Sequence, residues 1–117
     1  MPYQAILDRL IRPGAGVDAA LLVDSEGERV LQSGRADARH RLIGAYQGIA
    51  LSAARRTGER YEVGDIRYML CRYEGGDVIL RPLKDGYFLI IAIERSANLG
   101  VVLHQSEEAQ DHMNEVL

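Results

Sequence analysis

The C-terminal half of the sequence contains three apolar segments whose connections are too short for parallel strands. Residues 65–73, 78–83 and 87–93 have the content of β-strands. A Gly-Gly pair at 75–76 joins the first two segments, and Lys-Asp-Gly at 84–86 joins the last two. Because a parallel crossover needs about a dozen residues or more, we predict antiparallel neighbours. The third segment is apolar on both faces, so we predict a central strand with helices on each side.

The first 34 residues predict a helix followed by a hairpin. Apolar side chains recur at helical spacing over residues 3–12, and Pro-Gly at 13–14 ends that pattern. The apolar run at 17–23 and the segment at 29–33 flank a turn at 24–27 that contains a glycine. This arrangement is typical of a β-hairpin.

Two further helices complete the predicted order. Asp37 is a favourable N-cap for a helix that runs to about Thr57, and Gly58 ends it. Apolar residues at helical spacing over 99–116 predict the last helix. The order α-β-β-α-β-β-β-α predicts a single α/β domain over residues 1–117, a five-stranded antiparallel sheet with helices on both faces. The stripe predicted to face the core on the long helix is Leu42, Tyr46, Ile49, Ala50 and Ala53.

Composition and charge exclude several classes of protein. The 117 residues include one cysteine and carry a formal net charge of −3, which argues against an intramolecular disulfide, a Cys-rich metal site and a dedicated nucleic-acid binder. Charge is uneven, because residues 35–72 hold eight arginines and four acidic residues, whereas residues 94–117 hold five acidic residues and one arginine. The longest apolar stretch has seven residues, far below the roughly 20 that span a bilayer. With no secretory signal at the N-terminus, we expect a cytoplasmic protein with no membrane span and no nucleic-acid partner.

Motifs for catalysis and nucleotide binding are missing from the sequence. There is no Gly-x4-Gly-Lys-Ser/Thr loop and no Gly-x-Ser-x-Gly, so we predict no catalytic residue and no cofactor. His104, Glu108 and His112 share one face of the last predicted helix. A solvated polar face explains them better than a metal site, which needs a fourth ligand and supporting hydrogen bonds. Cys71 is interpreted as a small buried side chain and not as a reactive thiol.

Several segments together resemble the roadblock / dynein light-chain family. They are the element order, the hairpin Ala-Leu-Leu-Val-Asp-Ser-Glu-Gly at 20–27, the strand pair that closes at 84–86, and Ala-Asn-Leu-Gly at 97–100. The resemblance covers the chain from about residue 3 to its end. It implies a profilin-like layered fold, and homodimers or heterodimers that join edge strands into one continuous sheet. It also implies one of three functions found in the family. Members act as dynein light chains, as lysosomal scaffold subunits or, in bacteria, as partners or activators of small Ras-like GTPases.

The strand at 65–73 has the pattern of an edge strand that pairs with its own copy. One face carries Ile66, Tyr68, Leu70 and Arg72, and the other carries Arg67, Met69, Cys71 and Tyr73. A long edge strand that is partly apolar on both faces exposes unpaired backbone groups, and pairing across a two-fold axis satisfies them. The alternative is an interior strand with capped ends. The residues predicted for the homodimer interface are Arg67, Tyr68, Met69, Leu70, Cys71 and Arg72.

A small-residue ridge on the long helix provides a second candidate contact. Gly44, Gly48 and Ser52 recur every four residues beside Leu51, away from the predicted apolar stripe. Each mid-helix glycine costs about 1 kcal/mol relative to alanine, and the close approach of a second helix would offset that cost. We therefore predict that two copies of the helix cross at Gly44, Gly48 and Leu51. The alternative is a pair of glycines on a solvated face.

These expectations favour a dimeric, non-enzymatic regulator that binds a small Ras-like GTPase and modulates its nucleotide state. The dimer would hold the partner's switch loops in one conformation. Arg35, Arg39 and Arg41 are candidate partner contacts, because an arginine supplied in trans accelerates GTP hydrolysis. The first alternative is a structural dimerisation or scaffold subunit. The second is a metal-binding or small-molecule-binding domain, which His104 and His112 would support.

Overall fold

The predicted element order is confirmed in a computed structural model that describes residues 2–12, 14–35 and 38–117. For residues 38–43 and 45 the description covers the backbone alone, and Asp37, the predicted N-cap, lies outside it. A short 3-10 turn at Lys84–Gly86 joins the last two strands. The elements are α1 (Pro2–Leu10), β1 (Val17–Val23), β2 (Arg29–Gly34), α2 (Ala38–Arg60), β3 (Met69–Tyr73), β4 (Gly76–Pro82), β5 (Phe88–Glu94) and α3 (Leu99–Val116).

The five strands form one antiparallel sheet in the order β2-β1-β5-β4-β3. β5 lies at its centre between β1 and β4, as its two apolar faces predict. Leu89 and Ile91 point to one face of the sheet, and Phe88 and Ile90 point to the other. β2 and β3 are the two edge strands.

Helices cover both faces of the sheet, which confirms the predicted layers. α1 and α3 lie over one face, where Leu7 and Met113 are fully buried in a cluster with Ile91. α2 lies over the opposite face, where Leu51 packs in a second cluster with Ile90. Each helix therefore contributes to one of two separate apolar layers.

The glycines of α2 face the sheet, so the prediction that they lie away from the core is wrong. Gly44 is buried, and a Cβ at this position would overlap Ile90 Cδ1. A Cβ at Gly48 would lie 3.0 Å from the Phe88 ring. Leu51 is 3% exposed on the same side of the helix. The benefit that offsets the low helix propensity of glycine is thus close packing of α2 on its own sheet.

The apolar stripe of α2 is consequently exposed, which also contradicts the prediction. Tyr46 is 70% exposed and Ile49 is 68% exposed. Ala50 and Ala53 are exposed as well, and the side chain of Leu42 lies outside the description. Helical periodicity identifies an apolar stripe but not the partner that the stripe packs against, and here the glycine side meets the sheet.

β3 begins at Met69, four residues later than predicted. Its predicted first residue, Asp65, accepts a hydrogen bond from the backbone N–H of Ile66 at 2.9 Å. The same carboxylate accepts two hydrogen bonds from Arg55, from Nε at 3.1 Å and from Nη2 at 2.9 Å. A carboxylate that bonds its neighbouring backbone offers the chain an alternative to a strand ladder, which explains the late start.

The hydropathy of the helices is moderate throughout. Among the residues that the structure describes, no helix combines the length and the apolar character needed to cross a bilayer.

Replacing Gly44 with leucine tests the orientation of α2. We expect Gly44→Leu to lower the free energy of unfolding by about 1–3 kcal/mol, because the new side chain overlaps Ile90. Ala5→Leu, at an exposed position of α1, is the matched control and should change it by less than about 0.5 kcal/mol. Urea unfolding at one protein concentration measures both. Equally small losses for the two variants would show that Gly44 does not face the sheet.

Candidate protein interaction surface

β3 is the edge strand whose backbone is open. It pairs with β4 on one side, from Met69 opposite Leu80 to Tyr73 opposite Gly76. Within the described parts of the chain, neither a side chain nor a loop hydrogen-bonds the remaining backbone groups of this strand. Alternate N–H and C=O groups of an antiparallel edge strand point away from the sheet and can accept another strand.

The opposite edge strand, β2, is covered within the same chain by α1. Gln4 Nε2 donates to the backbone carbonyl of Gln32 at 3.0 Å. The Ser33 hydroxyl donates to Asp8 at 2.6 Å. The hydrogen bond from Ser33, followed by the one from Gln4, holds the pKa of Asp8 below its ordinary value. α1 therefore contacts the backbone of β2, whereas no described residue hydrogen-bonds the outer backbone groups of β3.

The predicted alternation of side chains is present within β3, but Ile66, which precedes the strand, packs in the cluster of Met69 and Cys71 and not on the side of Leu70 as predicted. Leu70 packs towards the cluster under α1 and α3, whereas Met69 and Cys71 pack towards the cluster under α2. Burial raises the pKa of the Cys71 thiol, which lowers its reactivity at neutral pH. Arg72 is exposed and its Nε donates to Asp77 at 3.2 Å. Both faces of β3 are thus partly buried, and its outer edge is free.

α2, which carries the exposed stripe, lies next to β3. The Gln47 amide donates to the hydroxyl of Tyr73, at the end of β3. Arg55, two turns further along α2, holds Asp65 in the segment that leads into β3. The stripe lies on the side of α2 that faces away from the sheet. We use the name edge surface for the stripe, Tyr46, Ile49, Ala50 and Ala53, together with the free side of Met69–Tyr73.

The structure does not place all of the predicted interface residues on the edge surface. Gly44, Gly48 and Leu51 lie on the opposite side of α2 against β5, because the helix packs on its sheet through them. Arg35 is exposed in the turn after β2. The side chains of Arg39 and Arg41 lie outside the description, so their role stays a prediction.

A buried arginine that the sequence analysis missed lies next to β3. Arg81, on β4, is 3% exposed and forms no ion pair with any described residue. Its guanidinium donates to Ser106 Oγ at 2.7 Å, to Gln110 Oε1 at 3.1 Å and to the Leu103 carbonyl at 3.1 Å. Burial lowers its pKa, but a guanidinium stays charged in proteins, so these three acceptors on α3 compensate the buried charge.

Arg81 and Gln110 position the two residues that precede β3. The Tyr68 ring lies over the Arg81 guanidinium, with 4.7 Å between the guanidinium carbon and the ring centroid. Gln110 Nε2 donates to the Arg67 carbonyl at 3.3 Å and to the Pro82 carbonyl at 2.7 Å. α3 therefore holds the entry to β3 in place. The sequence signal is an arginine inside the otherwise apolar run Val-Ile-Leu-Arg-Pro at 78–82.

The histidines of α3 lie on its solvent-exposed side. His104 Nε2 contacts Glu108 Oε1 at 2.8 Å, one helical turn away. His112 is exposed on the following turn. In the described ranges, no group of three or more His, Cys, Asp or Glu side chains is arranged to hold a metal ion.

Comparisons with known proteins agree with this architecture. The Roadblock/LC7 domain model matches residues 4–92. Myxococcus xanthus MglB is similar with a TM-score of 0.84 at 15% identity, covering 97% of this chain and 93% of that chain. A Roadblock/LC7 domain from Streptomyces avermitilis is similar with a TM-score of 0.83 at 16% identity, covering 97% and 95%.

A structural likeness to profilin confirms the predicted layered fold. Acanthamoeba castellanii profilin II is similar with a TM-score of 0.67 at 18% identity, covering 97% of this chain and 98% of that chain. At such identities the likeness establishes the fold alone. No curated protein matches by sequence.

Replacing Arg81 with lysine tests whether the stability of the protein requires the several N–H donors of the guanidinium. We expect Arg81→Lys to lower the free energy of unfolding by about 1–3 kcal/mol, because an ammonium keeps the charge but does not reach three separate acceptors. Arg67→Lys, at an exposed side chain nearby, is the control and should have little effect. Equal unfolding curves for Arg81→Lys and the unmodified chain would contradict this role.

Proposed function

The chain belongs to the Roadblock/LC7 domain family, and from this membership we propose that it is a dimeric, non-enzymatic regulator of a small Ras-like GTPase. The observation that carries the proposal is the open β3 edge, together with the exposed apolar stripe of the neighbouring helix α2. An uncovered edge strand is a site for pairing with another chain. Apolar side chains that adjoin such an edge give the pairing a hydrophobic contribution.

The proposed homodimer pairs β3 with its own copy across a two-fold axis. The pairing would satisfy the free backbone groups of Met69–Tyr73 and extend the five-stranded sheet into the second copy. The exposed stripes of the two α2 helices would then meet on the same side of the extended sheet. Full burial of a side chain such as Ile49 is worth about 1.5–3 kcal/mol, and the two-fold axis doubles each contribution.

The proposed GTPase partner follows from the family resemblance and is supported by the charge pattern. Residues 35–72, which include α2 and all of β3 except Tyr73, hold eight arginines and four acidic residues. Dimerisation would bring two copies of this basic segment together and create a surface that a monomer lacks. Such a surface would hold the partner's switch loops in one conformation. Arg35, Arg39 and Arg41 are the candidates for an arginine supplied in trans.

The compartment that we propose is the cytoplasm. The single cysteine, Cys71, is a free thiol on β3, which suits a reducing environment.

Charging the exposed stripe tests the proposed dimer. We expect Ile49→Lys to raise the dimer dissociation constant at least about tenfold, because a loss of about 1.4 kcal/mol of contact energy has this effect. Val101→Lys is the matched control, because Val101 is also an exposed apolar residue but lies on α3, over the other face of the sheet. Sedimentation equilibrium over a range of concentrations measures both constants. An unmodified chain that remains monomeric, or equal effects of the two variants, would contradict the proposal.

The GTPase partner is tested by capture under nucleotide control. Immobilised protein is incubated with native lysate that contains either GDP or a non-hydrolysable GTP analogue, and captured proteins are identified by mass spectrometry. We expect a small Ras-like GTPase in one nucleotide state, with reduced capture by Ile49→Lys and unchanged capture by Val101→Lys. Capture of no GTPase in either state would contradict the proposed partner.

Single-turnover GTP hydrolysis by the captured GTPase then separates regulation from scaffolding. A change in the rate when the dimer is added supports the regulator. Binding without any change in nucleotide hydrolysis or exchange would favour the alternative, a structural dimerisation subunit.

A further inference from the structure

A cavity of about 250 Å³ lies between α1 and α3, on the sheet face opposite to α2. Its apolar lining comes from Ile6 and Leu10 of α1 and from Ala109 of α3. The cavity lies apart from the edge surface and has no role in the proposed dimer. Pockets for drug-sized ligands have volumes of roughly 300–1,000 Å³, so this cavity suits a smaller molecule.

One of the residues that line this cavity has a buried side-chain oxygen without a described hydrogen-bond partner. Gln105 lines it, and the Gln105 carbonyl oxygen is buried without a hydrogen-bond partner among the described residues. Buried side-chain oxygens in folded proteins almost always accept a hydrogen bond. An occupant with an N–H group would supply the missing donor when the amide turns towards the cavity.

The two walls of the cavity carry opposite charges. Arg9 and Arg12 stand on the α1 side, and neither forms an ion pair with a described residue. Glu108 stands on the α3 side, where one of its oxygens accepts from His104 at 2.8 Å. Arginine pairs well with carboxylates, and the carboxylate of Glu108 pairs with an ammonium group. An occupant that carries both charges would fit both walls.

We propose that this cavity binds a free α-amino acid with an apolar side chain. The ligand carboxylate pairs with Arg9 and Arg12, and its ammonium group pairs with Glu108 and donates to the Gln105 carbonyl oxygen. Its side chain packs on the apolar lining from Ile6, Leu10 and Ala109. A peptide C-terminus shares the carboxylate and an N–H donor but has no ammonium group, so the position of Glu108 favours the free amino acid.

The proposal is tested by titrating the isotope-labelled full chain with L-leucine in the millimolar range and following backbone amide resonances. We expect saturable shifts at Arg9–Arg12 on one wall and around Gln105 and Ala109 on the other. Two analogues should bind at least about tenfold more weakly, because each lacks one charged group. They are 4-methylpentanoate, which has no ammonium group, and 3-methylbutylamine, which has no carboxylate.

Two variants of the chain and one further ligand, N-acetyl-L-leucine, serve as controls for leucine binding. Arg9→Gln, at an exposed position, should weaken leucine binding about tenfold, whereas Arg56→Gln on α2 should leave it unchanged. Absence of saturable shifts with leucine, or equal effects of the two variants, would overturn the proposal. N-acetyl-L-leucine imitates a peptide C-terminus, and binding as tight as that of leucine would overturn the free amino acid as the ligand. Dimerisation is measured separately, so either proposal can fail without the other.

Discussion

The close contact between α2 and β5 determines which surfaces this protein exposes. Gly44 and Gly48 allow the helix to lie directly on Ile90 and Phe88, with no side chain between them. Because Gly44, Gly48 and Leu51 occupy the buried side of α2, its apolar stripe turns outward and leaves Ile49 exposed. The helix propensity lost at two glycines is thus linked to an apolar surface that the monomer does not use.

The two edge strands of the sheet differ in how other elements of the chain hydrogen-bond their backbones. α1 hydrogen-bonds the backbone of β2 through Gln4, whereas the described side-chain hydrogen bonds to the backbone that leads into β3 end at Arg67, before the strand begins. Support at that point comes from Gln110 of α3, which holds the Arg67 carbonyl, and from Arg81 of β4, which lies against Tyr68. Gln110 and Arg81 therefore fix the two residues that lead into β3, while the outer edge of the strand stays free. Pairing with a second strand requires this combination.

Sequence patterns predicted the sheet better than the surfaces. The short turns specified antiparallel neighbours and the two apolar faces of β5 specified its central position, because both properties are local.

The predicted orientation of α2 was wrong, because the apolar stripe containing Ile49 has the same helical period whether it meets the sheet or a second chain. The start of β3 was wrong because Asp65 bonds Ile66 and Arg55, and the last contact depends on tertiary structure. Arg81 was missed because its acceptors lie on α3, far along the chain.

Amide hydrogen exchange across β3 as a function of protein concentration tests the central claim most directly. β4 already protects alternate amides of Met69–Tyr73, and the proposed strand pairing protects the remaining ones. We expect these remaining amides to be protected at high concentration and to exchange quickly on dilution. The amides of β2 should show no such dependence, because the proposed dimer does not pair this strand. Outward-facing amides of β3 that exchange quickly at every concentration would contradict the proposed strand pairing.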